Sequence, residues 1–162
     1  MPNQSPLIPH VVKHFKEFHY GVNWTWANLN ETLNDITWDE ATHQIPPLHT
    51  ILALTYHIHY YYVVATKVLK GGPLVGSDKV SFDHPEVESE ADWQALITEI
   101  FAQADTFISE LSQMDEQTLW NQFGSDGKYG DYYRNIMGTL EHGHYHLGQI
   151  VIIKKLLRYP SS

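Results

Sequence analysis

The sequence contains no cysteine. That excludes a disulfide framework, a thiolate nucleophile and every zinc site built on cysteine, and it fits a reducing compartment. Positive charge is scarce as well: ten Lys and Arg stand against 19 Asp and Glu, for a formal net charge of −9. Nucleic-acid binding uses Lys and Arg to neutralise phosphates, and neither the count nor any cluster supplies them, so no nucleic-acid partner is expected. Long hydrophobic runs are missing too. The most apolar stretch, Leu147 to Leu157, is interrupted by Lys154 and Lys155 and is too short to span a bilayer. The opening residues MPNQSPLIPHVVKHF lack a basic segment followed by an apolar one, so no signal peptide and no membrane partner are expected, and the expected location is the cytoplasm.

What remains is the composition of a folded globular chain, with 43% hydrophobic and 18% charged residues over 162 positions. That length predicts a single domain over residues 1–162, large enough to bury a core without staples. Histidine is the anomaly. Its 11 copies outnumber the 10 Lys and Arg together, and three of them, His142, His144 and His146, fall within five positions in LEHGHYHLGQI.

Apolar periodicity predicts four helical stretches. The first runs from about Pro9 to Leu33, with Val11, Phe15, Phe18, Val22, Leu29 and Leu33 at spacings of three, four and seven. The second opens at Pro46-Pro47, proline suiting a first helical turn, and continues to Lys70 before Gly71-Gly72-Pro73 stops it. The third begins near Ser89, whose offset to Asp92 matches a capping box, and continues through Trp93, Leu96, Ile100 and Phe107 to Leu111. The fourth starts at Asp131, a suitable N-cap, and reaches about Arg158. The three connections, residues 34–45, 71–88 and 114–130, exceed the ~2–8 residues that bundle hairpins need, so they can cover a site; short strand pairing inside them is also allowed. The expected class is all-α, a four-helix bundle.

Helical phase sorts the histidines. A helix turns about 100° per residue, so i and i+4 share a face while i and i+2 lie nearly opposite. His142 and His146 therefore point together, along the apolar stripe that continues through Ile150, Ile153 and Leu157, and His144 points to a rim with Met137, Val151 and Lys155. Two readings stay open for the pair: ligands of one metal, or buried imidazoles that each need a hydrogen-bond partner. On the second helix TYHIHYYY places His57 and His59 on opposite sides; the neighbours of His57 are slightly more apolar, which favours it as the inward one. Three imidazoles leave open positions on a divalent ion, as a reactive site requires.

These residues resemble a known family. L-T-Y-H-I around His57 and H-G-H-Y-H-L-G-Q-I from His142 to Ile150, 85 positions from the first histidine to the second, are similar to the DinB-like superfamily, whose pattern is one histidine on helix two and H-x-x-x-H-x-G-Q on helix four. The resemblance covers nearly the whole chain. It implies a bundle in up-down-down-up order, a divalent metal such as nickel or zinc, frequently a homodimer, and reactions such as transfer to low-molecular-weight thiols including bacillithiol, or mycothiol-dependent isomerisation. By position it implies His57, His142 and His146 as metal ligands, with Gly148 and Gln149 as packing or outer-sphere residues.

The expectation is a metal-dependent enzyme in which the ion activates a small thiol or water for transfer or hydrolysis, with its general acid and base unassigned. The alternatives are a non-catalytic metal-binding or stress-response bundle, and a metal-free homodimer with structural histidines. Other signatures fail. A di-iron bundle needs two Glu-x-x-His copies plus further glutamates, yet Glu141 points outward, Glu40 to His43 falls in a connection, and the second helix holds no acid. Gly143 stands where a zinc protease needs its glutamate, the Gly124–Lys128 turn lacks the phosphate-loop glycine offset, and no Gly-x-Ser-x-Gly elbow exists. Trp24, Trp26 and Tyr60 to Tyr62 either line a pocket near the metal or fill the core, and Tyr61 and Tyr145 are conceivable proton donors.

Overall fold

The computed structural model of the chain describes residues 6–125 and 127–159. Residues 1–5, where the reading for a leader begins, and residue 126, inside the Gly124–Lys128 turn, lie outside the described residues. The structure is helical with no strand among the described residues, and loop pairing is limited to an antiparallel bridge between Gln122 and Asp131. Helix α1 spans Leu7–Tyr20, α2 Leu29–Leu33, α3 Trp38–Thr42, α4 Ile51–Leu69, α5 Glu90–Ser112 and α6 Tyr132–Arg158, with a 3-10 turn at Glu116–Trp120.

The predicted first helix is two helices. Its apolar stripe fails at Val22, which is exposed, because Asn23 competes for the backbone. The Asn23 amide donates to the Glu17 and Ala27 carbonyls, its Oδ1 accepts from the Thr25 N–H and hydroxyl, and Trp26 takes a left-handed φ of 57°. Asn28 then caps α2 by accepting from the Glu31 N–H at 2.8 Å. The second long helix starts later than predicted: the Pro46–Pro47 peptide is cis, and α4 begins at Ile51 under a Thr50 cap. The 34–45 connection contains α3, closed by a Thr37–Glu40 capping box, so Glu40 sits on a short helix rather than in a loop. The caps read at Ser89 and Asp131 both form, accepting from the Asp92 and Arg134 N–H groups.

Four long helices make the body. α4 packs against α5 and α6, and α1 closes the other side against the same two. Tyr62 meets Phe107 and Lys70 meets Glu110, so α4 and α5 advance in the same sense. Leu7 bonds Glu116 while Tyr20 bonds Asp105, so α1 runs against α5. A ring cluster of Phe15, Tyr62 and Phe107, with centroids 4.9–5.9 Å apart, fills the centre. Trp93 is fully buried and donates its indole N–H to the Ile36 carbonyl at 2.8 Å, pinning the α2–α3 segment onto α5. Arg158 holds the same segment from α6 through Asp35 and Glu40 at 2.6 and 2.7 Å. The effect for function is to fix α4 and α6 face to face along their histidines.

Candidate metal centre

His57 enters from the second turn of α4, and His142 and His146 enter from one face of α6. The three coordinating-type nitrogens lie within 4.8 Å of one another, and no Asp or Glu among the described residues joins them. His142 Nε2 is 3.0 Å from His57 Nε2 and 3.0 Å from His146 Nε2. Neighbouring ligands on one ion with bonds of about 2.0–2.1 Å stand roughly 3.0–3.4 Å apart, so the two spacings from His142 suit a shared divalent cation.

The far side of each ring explains why these nitrogens face one another. Ser81 Oγ donates its proton to the Asp78 carbonyl at 2.8 Å, so it can only accept from His57 Nδ1–H, 2.8 Å away. Gln149 Oε1 is an acceptor and takes His146 Nδ1–H at 2.6 Å. Both rings are thereby held as Nδ1–H tautomers with a bare lone pair on Nε2, the arrangement in which outer partners orient metal-ligating histidines. His142 can offer one Nε2–H to one neighbour, which leaves at least one lone pair facing another. A cation at the common point relieves that repulsion, and the donor set fits one.

Burial and environment keep the rings neutral. His57 and His146 are buried and His142 is half-buried. Desolvation, then the neighbouring imidazoles, push His57 and His142 down to about 4, and desolvation also lowers His146. Phe82 stacks flat on His57 at 3.9 Å between centroids, and His49 stacks on the other face of Phe82 at 4.4 Å. Tyr61 stands edge-on to both His57 and His142, and its hydroxyl donates to the Asp78 carboxylate. A cavity of about 830 Å³ opens from His57 and His142 past Tyr61, Asp78 and Phe82 towards Arg134.

The structure thus gathers His57, His142 and His146 and sets the other histidines apart. His144 faces Phe18 on α1, at 4.9 Å between rings. His59 is as buried as His57 but turns away from the group, with its Nδ1 unpartnered among the described residues. Gln149 bonds the far nitrogen of His146, whereas Gly148 is exposed and a Cβ there would meet nothing within 4 Å, so it has no packing role within the chain. Glu141 is exposed and outside the group. Of the aromatics, Tyr61 lines the cavity and Tyr62 fills the core; Trp24, Trp26 and Tyr145 are exposed, and none of the three lines the cavity. Ser81, Asp78 and Phe82 carry no signal in the sequence, lying in a connection without periodicity. Among the described residues no helix is long and apolar enough to cross a membrane.

Neither a curated protein nor a solved structure matches the chain. The sequence model of the DinB superfamily matches residues 22–150, a span that holds α4, α5 and all three gathered histidines. On that match, over most of its length, the chain belongs to the DinB superfamily.

Proposed function

We propose that this chain is a metal-dependent enzyme in which His57, His142 and His146 hold one divalent ion, nickel or zinc, for the activation of a small thiol or of water in a transfer or hydrolysis reaction. The carrying observation is the convergence of three Nε2 atoms, two of them stripped of protons by Ser81 and Gln149. A divalent ion held there supplies Lewis acidity, which lowers the pKa of a thiol or water brought to it towards ~7.

The protein's own groups do the rest. A protein-filled shell would suit a purely structural ion; here the cavity reaches His57 and His142 and admits a small molecule. Phe82 and Tyr61 wall the imidazoles against bulk water on two sides. Tyr61, pushed up to about 12 by burial and by Asp78, keeps its proton at neutral pH and commits it to that carboxylate. The pair can therefore pass a substrate proton outward: the Tyr61 oxygen accepts it while Asp78 takes the phenolic one. The homodimer implied by the resemblance belongs to the same proposal, with the outer stripe of α6, exposed at Tyr145, Ile152, Leu156 and Tyr159, as its face.

Metal analysis of protein purified without an affinity tag is the first test, with about one ion per chain expected. His57→Ala, His142→Ala and His146→Ala should each lose it, while His59→Ala and His144→Ala keep it. Turnover of electrophiles with bacillithiol, glutathione or mycothiol, and of simple esters without thiol, is the second. A metal-loaded protein inert in every combination leaves the non-catalytic metal-binding bundle as the correct reading.

A further inference from the structure

The chain has two arginines, and they are used differently. Arg158 is locked between Asp35 and Glu40. Arg134 is exposed, and its guanidinium makes no ion pair or hydrogen bond among the described residues. It stands in the first turn of α6, where the helix dipole disfavours a cation, so local stability gives no reason for it.

Its surroundings do. Arg134 lines the same cavity as His57 and His142. On α6 the positions Arg134, Gly138 and His142 succeed one another at i, i+4 and i+8, about 12 Å of helical rise in all. Gly138 lines the wall between them, and a Cβ there would meet nothing within 4 Å, so the path is open. The rim is completed by the segment that carries Lys128, set over the Tyr129 ring at 5.0 Å. That rim is built: Asn135 donates to the Tyr129 and Asp131 carbonyls, and Gly130 lies against the Arg134 stem. Two acids also line the cavity. Asp78 is engaged by Tyr61, and Glu141 lies about two helical turns from Arg134 along α6, at the histidine end. In a chain of net charge −9, the end of this cavity away from the histidines carries the Arg134 guanidinium.

We propose that the small molecule this site acts on carries an anionic group, a carboxylate or a phosphate, seated on Arg134, while its reacting end lies at the imidazole nitrogens. The inference rests on the proposed reaction for the identity of that end, and on Arg134 alone for the anion. A guanidinium binds either anion through paired N–H donors, which fixes the orientation of the molecule along the cavity.

Two measurements test it. Mercapto compounds of increasing chain length, ending in carboxylate, phosphate or hydroxyl, are titrated into cobalt-substituted protein, the cobalt absorption reporting the thiol. At low salt one anionic series should bind about ten- to a hundredfold tighter than the hydroxyl series, and which series does so names the anion. Arg134→Gln should erase that margin while leaving hydroxyl-ended binding and the melting temperature unchanged. Separately, inorganic phosphate and glutarate are titrated into metal-free protein and the Arg134 Nε–H resonance is followed. Thiols that bind without regard to their far charge, with no Arg134 response, overturn the anion site and leave the metal reading intact. An Arg134 response in protein that takes up no cobalt upholds the anion site and removes the metal reading. Arg134→Gln weakening all three series equally also overturns it.

Discussion

Replacing Ser81 by alanine should weaken metal binding without touching a ligand. Ser81 is fully buried, and its oxygen is the acceptor for His57 Nδ1–H at 2.8 Å. To coordinate through Nε2, His57 must carry its proton on Nδ1. In the variant that N–H points at a methyl group inside the protein, and a buried donor without a partner costs about 1–3 kcal/mol. The free protein escapes that cost by moving the proton to Nε2 and donating to His142, so the penalty falls on the metal-bound state. Affinity should drop about ten- to a hundredfold, the range found when outer-sphere partners of metal histidines are removed. With free zinc at about 100 times the wild-type Kd, bound metal contributes about 2.7 kcal/mol, and a tenfold weakening leaves about 1.4. For a chain of this size the metal-dependent rise in melting temperature should shrink by about 3–5 °C. Competition against a chromophoric chelator at pH 7.5 measures the affinity directly, with His59→Ala as the control that changes nothing. A Ser81→Ala protein that folds and binds zinc as tightly as wild type refutes the tautomer argument.

Three further outcomes follow from the packing and the charges. The metal-free protein should lose stability as pH falls from about 6.5 towards 4. His19, His57 and His142 have folded pKa values near 4 against 6.5 unfolded, so the unfolded chain binds more protons in that window; a urea midpoint that stays flat from pH 7 to 5 contradicts this. Gly143→Ala should destabilise the fold by about 1–3 kcal/mol, because the new Cβ would stand 2.8 Å from Cζ of the fully buried Phe18, and an unchanged denaturation midpoint would show that Phe18 can yield. Gly148→Ala, in open space on the outer stripe of α6, should stabilise the dilute monomer by about 0.5–1 kcal/mol and loosen self-association, both readable by melting and sedimentation across a concentration series.

Local rules were legible wherever one element decided the outcome. Ser89 and Asp131 start their helices because each side chain bonds a backbone N–H three residues on, which sequence spacing shows. The break in the first helix was not legible: Val22 continues the apolar spacing, and Asn23 breaks the helix through bonds to Glu17 and Ala27 that no periodicity records. The Thr37–Glu40 box was present in the sequence, but it opens a helix of five residues, too short to show a stripe. His57 and His59 could not be separated by phase because α4 is covered on both sides, leaving the two equally buried at 6% exposure. Only the position of α6 distinguishes them.

The same division runs through the three-histidine group. His146 is oriented by Gln149, one turn along its own helix, so imidazole and partner are written into one short string and form together when α6 forms. His57 is oriented by Ser81, 24 residues away, and stacked by Phe82 from the same connection. That connection is itself fastened to α4: the Ser77 N–H donates to the Tyr60 hydroxyl, and the Tyr61 hydroxyl donates to Asp78. Tyr60 and Tyr61, one turn beyond His57 on α4, therefore grip the segment that orients its imidazole. The long connection is accordingly part of the centre, and a substitution anywhere along Ser77–Phe82 that loosens it acts first on the tautomer and tilt of His57, before any effect on the helices reaches the site.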